Sequence, residues 1–217
     1  EAESSMRTII TNTYRLGFDK ITIKNIHKDN LHIIKEIVEK HLPGFDIIKK
    51  EGDNIIIESI TEPSTDKLKN IFSKILMNIE ELFEVAEKMF KGEYEEYEYT
   101  ERKIKEFDNF CRRAISKSNP PDAVLQWAFH NELIHAQRQL YHMLNYQKKS
   151  RTKVDKICFD LLKECKEIYN NLQRAYYNKD IKLLEQIHNR EKDLRSKEDH
   201  ELLNKSKNTV IICYLLS

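Results

Sequence analysis

Apolar residues through the longer, C-terminal part of the chain recur at alternating steps of three and four, the spacing of one stripe on an α-helix. Leu68, Ile71, Phe72, Ile75, Ile79, Leu82, Ala86 and Phe90 form the first such stripe, closed by Gly92. Pro63-Ser64-Thr65 with Asp66 reads as its N-terminal cap. From Tyr94 to Ser116 the inward positions are Tyr97, Glu101, Ile104, Asp108, Cys111 and Ile115. After the break at Asn119-Pro120-Pro121, Leu125, Phe129, Leu133, Ala136, Leu140 and Met143 make a third stripe reaching Gln147. Val154, Ile157, Cys158, Leu161, Cys165, Ile168, Leu172 and Tyr176 make a fourth, with Thr152 and Asp155 spaced as a capping box. A fifth helix is expected from Asp180 to Leu203 and a sixth from Thr209.

The first 62 residues have a different rhythm. Arg7 to Leu16 predicts a short helix stopped at Gly17, and Asp19 to Lys24 a strand. Asn30 is placed to cap a helix through His41, with Ile33, Ile34, Ile37 and Val38 inward. Pro43-Gly44 breaks the chain, and Phe45 to Lys50 with Asn54 to Ile60 predict a hairpin around Gly52-Asp53. The expected fold is therefore mostly α. A small α/β domain over 1–62 precedes a three-helix unit over 63–147 and a second, incomplete one over 148–217.

The two three-helix units read as a repeat. Leu68 to Ala86 matches Val154 to Leu172 at an offset of 86. Tyr94, Tyr97, Glu101, Ile104, Lys105 and Asp108 match Leu184, Ile187, Glu191, Leu194, Arg195 and Glu198 at an offset of 90. The acidic positions are kept in both copies. A carboxylate on a bundle-facing stripe is costly to bury unless it is paired, protonated or bound to a cation. Glu101, Asp108, Glu191 and Glu198 are thus the positions expected to be paired, protonated or bound to a cation.

Composition narrows the classes. Of 217 residues 34% are charged, while Gly and Pro number 4 each, which favours long amphipathic helices. A net charge of +1 selects neither nucleic acid nor a membrane surface. The 4 Cys contain no Cys-x-x-Cys and read as reduced core thiols of a cytoplasmic protein. Neither a signal peptide nor an apolar run of membrane length is present, so no membrane insertion is expected. The start at Glu1-Ala2-Glu3 and the stop inside the apolar run Val210 to Leu216 read as the ends of a fragment.

The paired three-helix units with an acidic second helix resemble PhoU, the phosphate-uptake regulator family. Tyr14-Arg15-Leu16-Gly17-Phe18-Asp19-Lys20-Ile21 and Leu42-Pro43-Gly44-Phe45-Asp46-Ile47 resemble the segment preceding the repeats in its archaeal members. Those members usually begin with an AbrB-like DNA-binding domain, which is absent here. The resemblance spans the chain from Met6. It implies a non-enzymatic, homodimeric regulator of phosphate uptake or phosphate-responsive transcription. Its partners would be phosphate transport or signalling proteins, with DNA reached only through the missing domain. It also implies iron, zinc or magnesium at the acidic helix faces. The sequence departs from the family where Lys105 follows Glu101 and Arg195 follows Glu191, each a base in place of the second acid. On the third helix Leu140-Tyr141-His142, Met143-Leu144 and Asn145-Tyr146 lack the family's two carboxylates. Fewer charged oxygen ligands weaken such metal clusters.

Other constellations carry different chemistry. Glu132 with His135 and Glu185 with His188 are Glu-x-x-His pairs of the di-iron carboxylate type, with Glu101 and Glu164 to complete the set. In a chain dense in Glu, the same spacing also describes solvated helix faces. His135, Arg138 and His142 form a polar stripe that would bind an anion or contact another helix. The basic run Lys148 to Lys153 reads as a solvated turn or a contact for an acidic partner. Trp127 is expected to pack between helices. A metal-free helical interaction scaffold and a di-iron protein are the alternatives to the regulator.

Overall fold

The computed structural model describes residues 2–61, 67–193 and 206–217. Among them are eight α-helices and three strands. In chain order these are α1 (Ala2–Arg15), β1 (Lys20–Ile23), α2 (Leu31–His41), β2 (Phe45–Glu51), β3 (Asn54–Ser59), α3 (Leu68–Phe90), α4 (Glu98–Ser118), α5 (Ala123–Ser150), α6 (Lys156–Asn178), α7 (Ile181–Asp193) and α8 (Thr209–Leu216). No helix among the described residues is long and apolar enough to cross a membrane. The chain packs as two compact units. The first comprises 1–75 with 102–132, and the second 76–101 with 133–217. Their boundaries fall inside α3, α4 and α5, so neither unit is one continuous stretch of chain.

The α/β layer lies in the first unit. Its sheet is antiparallel in the order β1-β3-β2. The β2–β3 hairpin pairs Glu51 with Asn54 across Gly52-Asp53, the expected turn, and Gly52 adopts φ +58. A bulge between Ile47 and Lys49 leaves Ile48 exposed. Ile21, Phe45, Ile55 and Ile57 of the sheet share one core with Ile10 and Tyr14 of α1 and Ile34 and Ile37 of α2. Asn30 does not cap α2 through its side chain. A 3-10 turn, Lys28–Asn30, leads into the helix instead. Across from the sheet, Arg113 of α4 is buried. It donates to the Phe18 carbonyl at 2.8 Å and to Asp19 at 2.5 Å, and its guanidinium lies 4.6 Å from the Phe45 ring.

The second unit is all helix. Phe83 of α3 and Tyr169 of α6 pack with centroids 5.5 Å apart, and the Tyr169 hydroxyl donates to the Leu76 carbonyl at 2.7 Å. That bond satisfies a phenol which burial would otherwise strand. Phe90 meets Phe159, and Lys166 bridges to Glu87. The α6 cap sits three residues later than expected. Asp155, not Thr152, is the N-cap; it accepts from the Cys158 amide at 3.1 Å and from the Ser206 hydroxyl at 2.6 Å. Ile211 and Ile212 of α8 are fully buried.

The stripes were legible where both flanks are packed. Every inward position expected on α4 is buried, although the helix starts at Glu98 and not at Tyr94. On α5 the stripe turns. Leu125 and Ala136 are exposed, and His130, Ile134, Gln137, Leu144 and Gln147 are buried. Pro120 and Pro121 lie in the turn ahead of α5, outside its first helical turn. All four cysteines are free; Cys111 and Cys158 are core residues as expected, Cys165 is half-buried and Cys213 is exposed. The expected cap at Pro63 to Asp66, and the end of the fifth helix with Leu194, Arg195 and Glu198, lie outside the described residues.

Two glycines separate strain from space. At Gly44, φ is +81 and an added Cβ would stand 2.2 Å from the Thr61 carbonyl oxygen; at Gly52 nothing lies within 4 Å. Gly44→Ala is expected to destabilise the chain by more than about 2 kcal/mol, and Gly52→Ala by about 1 kcal/mol. Urea unfolding of the two variants measures the difference, and equal losses would refute it.

Candidate functional site

The most highly charged buried site described lies in the first unit and is organised by α4. Asp108 is fully buried because it falls on the inward stripe between Ile104 and Cys111. An ionised carboxylate there needs donors from every side. Arg112, one turn on, directs Nε at both carboxylate oxygens, 2.9 and 2.8 Å away. His130 of α5 places Nδ1 3.0 Å from Oδ1. A carboxylate only accepts, so Nδ1 carries the proton and Nε2 is left as the acceptor when the ring is neutral. Arg15, the last residue of α1, brings Nη2 to 3.4 Å from Oδ2.

A second ring of contacts fixes these partners. Arg112 donates through Nη1 to Asn131 Oδ1 and lies 5.2 Å from the centre of the Trp127 ring, which realises the packing role expected for Trp127. Phe72 of α3 meets the His130 ring edge-on at 5.1 Å. Arg15 Nε donates to Asn109 Oδ1 at 2.7 Å, and Asn109 Nδ2 donates to the His41 carbonyl at 2.8 Å. One carboxylate thus joins α1, α4 and α5, and its neighbour Asn109 reaches the end of α2. Burial, followed by the nearby charges of Arg7 and Lys105, pushes His41 down to about 4.

The other sequence candidates are placed as follows. Glu101 is buried but belongs to the second unit, so the two acids of the α4 stripe fall in different packing units. Glu191 is half-buried on α7, which has no fully buried residue. Glu198 lies outside the described residues. Glu132, His135, Glu185 and His188 are exposed, and Glu164 accepts from Arg190 Nε at 2.7 Å. Among the described residues no group of three or more His, Cys, Asp or Glu side chains could hold a metal ion. Asp108 accepts from Arg15, Arg112 and His130, donors that compete with a metal for the same lone pairs. His135, Arg138 and His142 lie exposed along α5, with the His142 ring 6.2 Å from that of Tyr214.

Sequence reasoning missed Arg15, Arg112, His130 and Asn131 as the companions of Asp108. Arg112 could have been found, since a base four residues after an acid on one helix face is a pairing signal. Arg15 lies 93 residues from Asp108, and no local pattern announces such a contact. No family model, curated protein or solved structure matches the chain.

Removing one member of a buried ion pair leaves the other charge uncompensated. Asp108→Ala is expected to cost about 3–5 kcal/mol in urea unfolding, and Asp108→Ala with Arg112→Met to recover part of that loss. The double variant should be the more stable of the two; an equal or larger loss would rule out the pairing. His41 predicts a pH effect. The unfolded chain binds its proton near pH 6.5, while the folded chain does so only near 4. Between these values the unfolded state holds more protons, so stability falls as pH drops from about 6.5 toward 4. Thermal unfolding of His41→Gln should show a shallower fall across that window.

Proposed function

We propose that the chain is a non-enzymatic helical regulator of phosphate uptake or phosphate-responsive transcription, of the PhoU type, working without a metal cluster. The observation that carries this reading is the inward acidic helix: Glu101 and Asp108 are both buried on α4, as the resemblance requires of a second helix. The sequence repeat supports it. At the offset of 86, buried Phe72, Ile75, Leu76, Phe83 and Met89 correspond to buried Cys158, Leu161, Leu162, Tyr169 and Ala175. The pairing of Asp108 with Arg15, Arg112 and His130 supports the metal-free form, because arginine and histidine donors meet the need that cations meet in the family.

In this reading α4 is a structural spine, and regulation works by docking. The partners are phosphate transport or signalling proteins in the cytoplasm, with a second copy of the chain as homodimer. Exposed Val124 and Leu125 in the first unit and Ile181 in the second are apolar surface of the kind such contacts cover. A metal-free interaction scaffold without a link to phosphate is the second reading, and the same Asp108 pairing favours it.

Deleting the gene and measuring transcripts of phosphate transporters in phosphate-rich and phosphate-starved cells separates the two. Altered expression in either condition is expected of the regulator; unchanged expression in both would overturn it. Elemental analysis of the purified chain should find less than one bound metal ion per chain, and two irons per chain would revive the di-iron alternative.

A further inference from the structure

In the second unit two exposed segments of opposite charge lie side by side. Glu93, Glu95, Glu96 and Glu98 crowd the connection from α3 to α4 and the first residue of α4. Lys148, Lys149, Arg151 and Lys153 crowd the end of α5 and the connection to α6. Every one of these side chains is exposed. Two contacts hold the segments together. Lys148 is ion-paired with Glu98, and the Arg151 guanidinium lies 5.3 Å from the centre of the Tyr94 ring. The basic segment is braced from behind. The Gln147 side-chain amide donates to the Thr152 carbonyl at 2.8 Å, and that of Asn208 to the Lys153 carbonyl at 3.4 Å. Arg151 is held at φ +47, a backbone region that residues with a side chain rarely adopt. On the acidic side Glu95 is matched by Lys88. Glu93, Glu96, Lys149 and Lys153 have no ion pair with a described residue, so acid is left over on one side of the seam and base on the other.

We propose that this divided surface is the face through which two copies of the chain pair about a two-fold axis. A polyanion laid on the basic segment would meet the carboxylates beside it, and a polycation on the acidic segment would meet the lysines. A partner that suits both halves must carry a base opposite each acid and an acid opposite each base. A second copy does so by symmetry: a half-turn about an axis between the segments lays each acidic segment over the other copy's basic one. Tyr94, 39% exposed at the seam, supplies an aromatic of the kind enriched at interface centres. The inference rests on the homodimeric regulator reading and says which face pairs.

Sedimentation equilibrium of the full chain at low and at high salt tests it. A dimer is expected at about 50 mM salt, loosening as screening grows toward about 500 mM. Lys149→Glu with Lys153→Glu, and separately Glu93→Lys with Glu96→Lys, should each weaken self-association at least about tenfold, since like charges then face each other at both contacts. Circular dichroism should show both variants folded, because the altered side chains are exposed. An equal mixture of the two reversed variants should recover the dimer, each offering the charge that the other lacks. A chain that is monomeric at both salts, reversed variants that associate as the wild type does, or a mixture that stays monomeric would each overturn the proposal. A monomeric wild type retained on duplex DNA, with retention lost in Lys149→Glu with Lys153→Glu, would give the basic segment to nucleic acid and overturn it as well. A dimer that responds to the reversals as expected, with transporter transcripts unchanged on deletion, would overturn the regulator reading and leave the interface standing. Altered transcripts with a monomeric chain would do the reverse.

Discussion

A charge carried into the interior by helical periodicity must be neutralised there, and that constraint shapes the first unit. Asp108 occupies the same stripe as Ile104, Cys111 and Ile115, so α4 cannot pack its apolar side without burying the carboxylate. Leaving the carboxylate without donors would cost far more than a surface contact returns. The donors come from three helices: Arg112 from α4 itself, Arg15 from the end of α1 and His130 from α5. The cluster therefore fixes more than one side chain. It sets where the α/β layer ends against α4 and which face α5 turns inward. Buried ion pairs contribute little net stability compared with apolar replacements, but they penalise any packing that separates the partners.

The same helix secures the sheet by different means. Arg113, adjacent to Arg112, binds the Phe18 carbonyl and Asp19 while lying over the Tyr14 and Phe45 rings. Two consecutive buried arginines thus serve different sets of partners around α4. In the second unit charge plays a smaller part. Apolar stripes on α3 and α6 meet through aromatic contacts, and the Tyr169 hydroxyl and the Asp155 cap satisfy polar groups that burial would leave alone.

For function, the partners of Asp108 matter as much as its burial. Shared metal sites need several charged oxygens turned toward one point. The oxygens of Asp108 are instead engaged by guanidinium and imidazole groups. Arrangements of this kind favour a structural spine over a reactive centre.

The order of helices and strands, the β2–β3 turn and the inward face of α4 were all determined locally. Hydrophobic periodicity and turn chemistry act over a few residues, and a sequence displays them directly. The inward face of α5 was not. Leu125 looked like a core residue and is exposed, while His130 and Gln137 looked polar and are buried. Which face a helix buries depends on what lies against it, and for His130 that is a carboxylate 22 residues away. Arg15 shows the same limit across 93 residues. The sequence by itself determined that a buried acid on α4 would need partners; only the tertiary structure decided that these would be two arginines and a histidine, because partners brought together by folding leave no spacing to read.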